Sequence, residues 1–209
     1  MIRRLARCLA VVVFPAGALA LAGCAVKDAT KFYVLSATPA SPRTPATSAV
    51  SNLAVGVGPV LLPGYLDRVQ IVTRDSRDEI QISVYHRWAE PLENGIAQVV
   101  ADDLAAVVGS ERIAVYPWRG GVSRVLDYQV AIQVLRFEGA PGRQATLDAR
   151  WRLLNRDGQE IVLKRSTITE PISGEGYQPL VLGLNRALGT LAREIAAEIQ
   201  SRADTRAAG

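Results

Sequence analysis

Apolar and polar positions alternate along much of this chain with a period of two, and along two long stretches with a period of three to four. Ile80, Ile82 and Val84 alternate with Glu79, Gln81 and Ser83, which predicts a strand over residues 79–85. A second apolar run over 69–74 precedes it. The connection Asp75-Ser-Arg-Asp78 is short and polar, so a β-hairpin is expected. Bulky and small side chains alternate over 53–58, and a short strand over 112–116 is closed by Pro117. Three longer strands follow over 127–138, 146–154 and 159–169. The last two are joined by Asn155-Arg-Asp157-Gly158, a strong hairpin turn. Residues 32–35, Phe-Tyr-Val-Leu, form one further apolar run near the beginning.

The helical period occurs twice. Over 90–108, Leu92, Ile96, Val99, Val100, Leu104, Val107 and Val108 make one stripe, with Pro91 suited to the first turn and Gly109 to the stop. Over 177–202, Leu180, Leu184, Leu188, Leu191, Ile195 and Ile199 line one face. Gly183 and Gly189 each weaken that helix by about 1 kcal/mol relative to Ala unless close packing requires them. Strands in runs with two long amphipathic helices predict an α+β, two-layer architecture, a mostly antiparallel sheet packed against the two helices. Both stripes are read as core. Residues 32–202 then form a single domain, with a flexible Pro-, Ser-, Thr- and Ala-rich loop over 36–51 and a disordered tail over 203–209. No repeat at a solenoid period is present.

The amino terminus changes the picture. Arg3, Arg4 and Arg7 precede the apolar stretch 9–21, and small residues follow. These thirteen residues, interrupted by Pro15 and Gly17, cannot span roughly 30 Å of hydrocarbon as a helix. Leu21-Ala22-Gly23-Cys24 resembles a lipobox, which implies removal of residues 1–23 and acylation of Cys24. The chain has 24 basic and 20 acidic side chains; without the three early arginines it has 21 against 20, a net charge of +1. That near-neutrality, with no run of Lys or Arg, argues against nucleic acid as a partner. Cys8 leaves with the signal, so the mature domain has neither disulfide nor free thiol and folds on its core alone. A tether of residues 24–31 leads into the domain. Its seven residues after Cys24 reach at most about 23–25 Å, which keeps the domain close to a bilayer.

Candidate chemistry is sparse. His86 is the only histidine, and no G-x-S-x-G nucleophile elbow is present; Ser123 lacks the second glycine. The pattern around Gly56 and Gly58 fails as a phosphate loop, because Leu61 holds the third glycine position and Pro59 follows where a helix should start. Asp102 and Asp103 read as a solvated helical face. No catalytic residue, metal site or cofactor is expected. Two stretches stand out instead. One is the apolar and aromatic loop Leu61-Leu-Pro63-Gly-Tyr65-Leu66-Asp67-Arg68; the other is His86-Arg87-Trp88-Ala89-Glu90-Pro91-Leu92. Aromatic and arginine side chains on loops suit a binding surface. Equally, Tyr65 and Trp88 could cap the core at strand ends.

Those stretches also carry a family resemblance. Leu62-Pro-Gly-Tyr-Leu-Asp-Arg-Val-Gln-Ile-Val-Thr-Arg74, followed by Arg87-Trp-Ala-Glu-Pro-Leu92, resembles the PqiC/YmbA family of ABC-type transport auxiliary lipoproteins. The opening run at Phe32 and the closing amphipathic helix match as well. The resemblance implies a fold like the amino-terminal domain of TolB and a non-catalytic periplasmic lipoprotein. It implies an MCE-domain protein and an inner-membrane ABC transporter as partners in moving phospholipid, and assembly into homo-oligomeric rings. The two unusual stretches supply the expected partner contacts, at Leu62, Pro63, Tyr65, Leu66, Arg68, His86, Arg87, Trp88 and Glu90. Ala25 after the lipidated cysteine favours the outer membrane, at its periplasmic face. The alternatives are an assembly lipoprotein of another envelope machine, a hydrolase built on His86, and a lipid carrier with a pocket between sheet and helices.

Overall fold

A computed structural model describes residues 29–38, 52–118, 121 and 125–208. Eight strands and two helices follow in the order β1 (Lys31–Tyr33), β2 (Val55–Leu61), β3 (Gln70–Arg74), β4 (Ile80–Trp88), α1 (Leu92–Val108), β5 (Ile113–Val115), β6 (Tyr128–Ala140), β7 (Gln144–Asn155), β8 (Glu160–Pro171) and α2 (Tyr177–Ala208). The signal segment, Cys24, most of the 36–51 loop and Ser123 lie outside the described residues.

The architecture is α+β, with both helices on one face of a five-stranded sheet ordered β5-β2-β6-β7-β8. The alternation in β6 to β8 turns Val130, Ile132, Val134, Leu147, Ala149, Trp151, Leu153, Val162 and Ile168 inward. They meet Leu92, Ile96, Val100 and Leu104 of α1 and Leu180, Leu184, Leu188, Leu191, Ile195 and Ile199 of α2, all buried. The turn at Gly158 is the expected one. Gly158 N–H donates to the Asn155 carbonyl (3.0 Å), Asp157 N–H to Asn155 Oδ1 (3.0 Å), and Gly158 has φ 75°. Gly109 closes α1 in the left-handed region (φ 73°).

The single sheet expected from the pattern is in fact two. A three-stranded sheet, β1-β4-β3, sits beside the first, with β3 against β6. The local pairs β3–β4, β6–β7 and β7–β8 are antiparallel as expected; β1–β4, β2–β5 and β2–β6 are parallel. A parallel pair needs a long crossover. β3, β4 and α1 supply it between β2 and β5, which no local pattern reveals. β4 also runs past the expected end at Tyr85 to Trp88, because β1 pairs with residues 86–88.

Two further expectations need correction. The 203–209 stretch is not a tail from its first residue: α2 continues to Ala208, and Ala203 is still packed on the core. Asp103 does not belong to a solvated face. Asp102 is exposed, but Asp103 is buried between α1 and the segment after β1, where Thr38 N–H donates to its Oδ1 (3.0 Å). That segment crosses the helix pair as a strap. Leu35 is buried, and Asn185 of α2 exchanges two hydrogen bonds with Ser36, at 3.3 and 3.0 Å.

Candidate functional site

The two unusual stretches come together through strand pairing. Residues 62–68 run directly into β3, and Trp88 N–H donates to the Val69 carbonyl (2.6 Å). Ala89 N–H donates in turn to the Tyr33 carbonyl (2.9 Å), so β1 closes the same ribbon. In register, Phe32 stands opposite Arg87, and Arg87 opposite Gln70.

Within the loop, the Pro63 carbonyl accepts from Leu66 N–H (2.9 Å) and Asp67 N–H (3.3 Å), a tight turn that sends Leu66 into the core. Leu62 and Tyr65 are half-buried against that core. Tyr65 is tied down from its polar end: its hydroxyl donates to Glu138 Oε2 (2.9 Å) and to the Leu135 carbonyl (3.2 Å). Burial first, and then the Glu138 carboxylate beside it, push the Tyr65 phenol up to about 12. Glu138 is wholly buried, and its charge is met by Arg74 Nε (2.7 Å), Arg136 Nε (2.9 Å) and the Phe137 N–H (2.9 Å). The Arg74 guanidinium also lies over the Tyr65 ring at 5.8 Å. Such a carboxylate is tolerated inside because it is paired and hydrogen-bonded.

Of the expected contact residues, Leu66 and Trp88 are therefore core side chains, 2 % and 5 % exposed, and Trp88 packs on Phe137 with ring centres 6.5 Å apart. Both are out of reach of a partner in this conformation. Leu62, Pro63, Tyr65, Arg68, His86 and Arg87 are half-buried, and Glu90 is exposed. Arg68 Nε and Arg87 Nε are buried without a hydrogen-bond partner. His86 stands at the rim. Its ring stacks on Tyr177 of α2 (3.9 Å between centres), and its Nδ1 lies 2.8 Å from Tyr33 Oη. Burial, and then Tyr177, raise the Tyr33 phenol. The three rings line an open cleft of about 790 Å³ together with Lys31, Phe32 and Glu175.

Sequence reasoning missed Glu138 and Tyr177 as parts of this arrangement. Only Glu138 carried a signal, a lone carboxylate in a strand that alternates toward the core. Chemically the region is a set of aromatic, apolar and guanidinium groups. Among the described residues no group of three or more His, Cys, Asp or Glu could hold a metal, and no helix is long and apolar enough to cross a membrane.

Residues 33–196 match the model of a family described as the ABC-type transport auxiliary lipoprotein component. Among solved structures, an uncharacterized protein has a TM-score of 0.63 at 20 % identity over 82 % of this chain and 99 % of its own. Protein XCC0632 from Xanthomonas campestris has a TM-score of 0.64 at 19 % identity over 84 % of this chain and 99 % of its own. At such identity these two likenesses establish the shared fold. No curated protein sequence matches the chain.

Proposed function

The chain belongs to the family of ABC-type transport auxiliary lipoprotein components, and from that premise we propose that it is a non-catalytic subunit of an MCE-type lipid transport system. In this reading residues 1–23 are a signal peptide and Cys24 carries the lipid. The domain stands at the periplasmic face of the outer membrane, moves phospholipid together with an MCE-domain protein and an inner-membrane ABC transporter, and supports membrane integrity.

The observation that carries the reading is the family match across residues 33–196, almost the whole described domain. It is supported by the lipobox-like Leu21-Ala22-Gly23-Cys24 just upstream. The contact surface is narrower than the sequence suggests. With Leu66 and Trp88 in the core, partner contacts fall to Pro63, His86 and Glu90; Leu62 and Tyr65 hold the loop in shape, and Arg68 and Arg87 are half-buried with their Nε groups unpartnered.

The test is in-cell crosslinking of the full-length lipoprotein, followed by purification and mass spectrometry of what it holds. Recovery of an MCE-domain protein with its ABC transporter is the expected result. Recovery of only another outer-membrane machine, under conditions that preserve complexes, overturns the transport role in favour of an assembly lipoprotein.

A further inference from the structure

Five large apolar side chains are exposed on β1, at the residue just after it and on the adjoining stretch of β4. Phe32 is 64 % exposed, Val34 58 % and Val84 64 %, with Ile82 and Tyr85 exposed as well. Single exposed apolar residues need no account, but a group of them does. Its position is informative. β1 runs parallel to β4 with Lys31 opposite His86, so residues 82–85 lie beside the point where the chain from Cys24 enters the domain.

Three basic side chains lie around this patch, with Glu175 in the same cleft as Lys31 and Phe32 and with Asp67 and Glu90 exposed nearby. Arg87 stands in register with Phe32, Arg68 precedes Gln70 by two residues, and Lys31 begins β1. None of the three takes part in an ion pair among the described residues. The Nε groups of both arginines are buried without a partner. The β3–β4 turn carries Asp75, Arg77, Asp78 and Glu79, so the attraction rests on apolar side chains and these particular cations rather than on net charge.

We infer that this end of the molecule rests on a phospholipid bilayer, with Phe32 and Val84 entering the acyl boundary and Arg87, Arg68 and Lys31 meeting lipid phosphates. The inference rests on the proposed acylation of Cys24. Seven peptide steps from Cys24 to Lys31 reach at most about 25 Å. A domain of this size has a radius of gyration of about 16 Å, hence a breadth of roughly 40 Å. So short a tether cannot turn the far side of the domain to the membrane, which keeps the β1 end within reach of it. Aromatic side chains with a polar tip suit the headgroup layer, and Tyr85 is placed there, with Tyr33 and Tyr177 in the cleft behind. Lys31 can lay its stem along the apolar surface and keep its charge at the phosphates.

The test uses the full-length, natively processed lipoprotein in vesicles of phosphatidylethanolamine and phosphatidylglycerol. After processing, Cys24 is the one remaining cysteine and its thiol is acylated, so Phe32→Cys, Val84→Cys and Leu163→Cys each accept a single spin label. Leu163 is the control: it is exposed, and β8 separates it from Pro171, just before Tyr177, by eight residues or about 26 Å. The expected result is labels at 32 and 84 lying about 5–10 Å into the headgroup and acyl boundary, and the label at 163 in water. Protein that floats with the vesicles while all three labels are equally water-accessible overturns the inference and leaves the lipid anchor standing. Labels at 32 excluded from water but coupled to one another assign the patch to a second copy of the chain, and also overturn it. Failure to float at all removes the acylation reading itself, and the inference with it.

Discussion

The hydroxyl of Tyr65 donates to the wholly buried carboxylate of Glu138, 2.9 Å away, joining a surface loop to the far end of β6. The phenol, pushed up to about 12, stays a donor throughout the physiological range. Tyr65→Phe removes the contacts with Glu138 and the Leu135 carbonyl while Arg74, Arg136 and the Phe137 amide still serve Glu138, so a loss of about 1–2 kcal/mol is expected. Glu138→Ala orphans a buried guanidinium contact and leaves a cavity, with an expected loss of about 3–5 kcal/mol. Urea unfolding of the two variants checks the ranking; equal losses would mean that Tyr65, and not the arginines, holds the carboxylate.

Trp88 contributes packing rather than partner contact. Trp88→Ala should cost about 3–5 kcal/mol through the space it leaves against Phe137. Glu90→Ala, at an exposed position, should stay within about 0.5 kcal/mol of the parent. Thermal unfolding alongside crosslinking yield separates the effects. A well-folded Trp88→Ala protein that has lost its partner would return Trp88 to the binding surface.

Asp103 makes the strap sensitive to pH. Burial raises its carboxyl to about 6, only partly offset by the Thr38 amide and Arg193, so the folded protein holds a proton there that the unfolded chain, near 3.8, has lost. Between those two values this site binds more protons in the folded state, so the Asp103 contribution to stability falls as pH rises from about 4 to 6. Asp103→Asn keeps an acceptor for Thr38 and cannot ionise. Its unfolding free energy should lack this slope and exceed that of the parent at pH 7. A parallel pair of pH profiles would show that Asp103 is charged in the folded state throughout.

Gly189 is required by close approach. A methyl group there would come within 2.6 Å of Thr38 Oγ1 and 3.3 Å of Asp103 Oδ2. Gly189→Ala should therefore loosen the strap despite the gain of about 1 kcal/mol in helix propensity. Hydrogen exchange at the Ser36 and Thr38 amides, both donors to the helices, should speed up in this variant. Unchanged protection with raised stability would show that the strap accommodates the methyl group by a small shift.

What the chain determined by itself is what depends on near neighbours. The β6–β7–β8 meander and the β3–β4 hairpin follow from alternation and turn chemistry such as that of Asn155 and Gly158. The two helices follow from their stripes, and the family resemblance follows from two contiguous motifs. Those motifs named a region without deciding which of its side chains face water. That depended on segments distant in sequence. β1 pairing with residues 86–88 extends β4 and turns Trp88 inward; Glu138, 73 positions away, captures Tyr65; and the strap after β1 buries Asp103. Period and propensity are local quantities. Burial, parallel pairing and the partner of a buried charge are set by which surfaces meet, and that is decided only when the whole chain has closed.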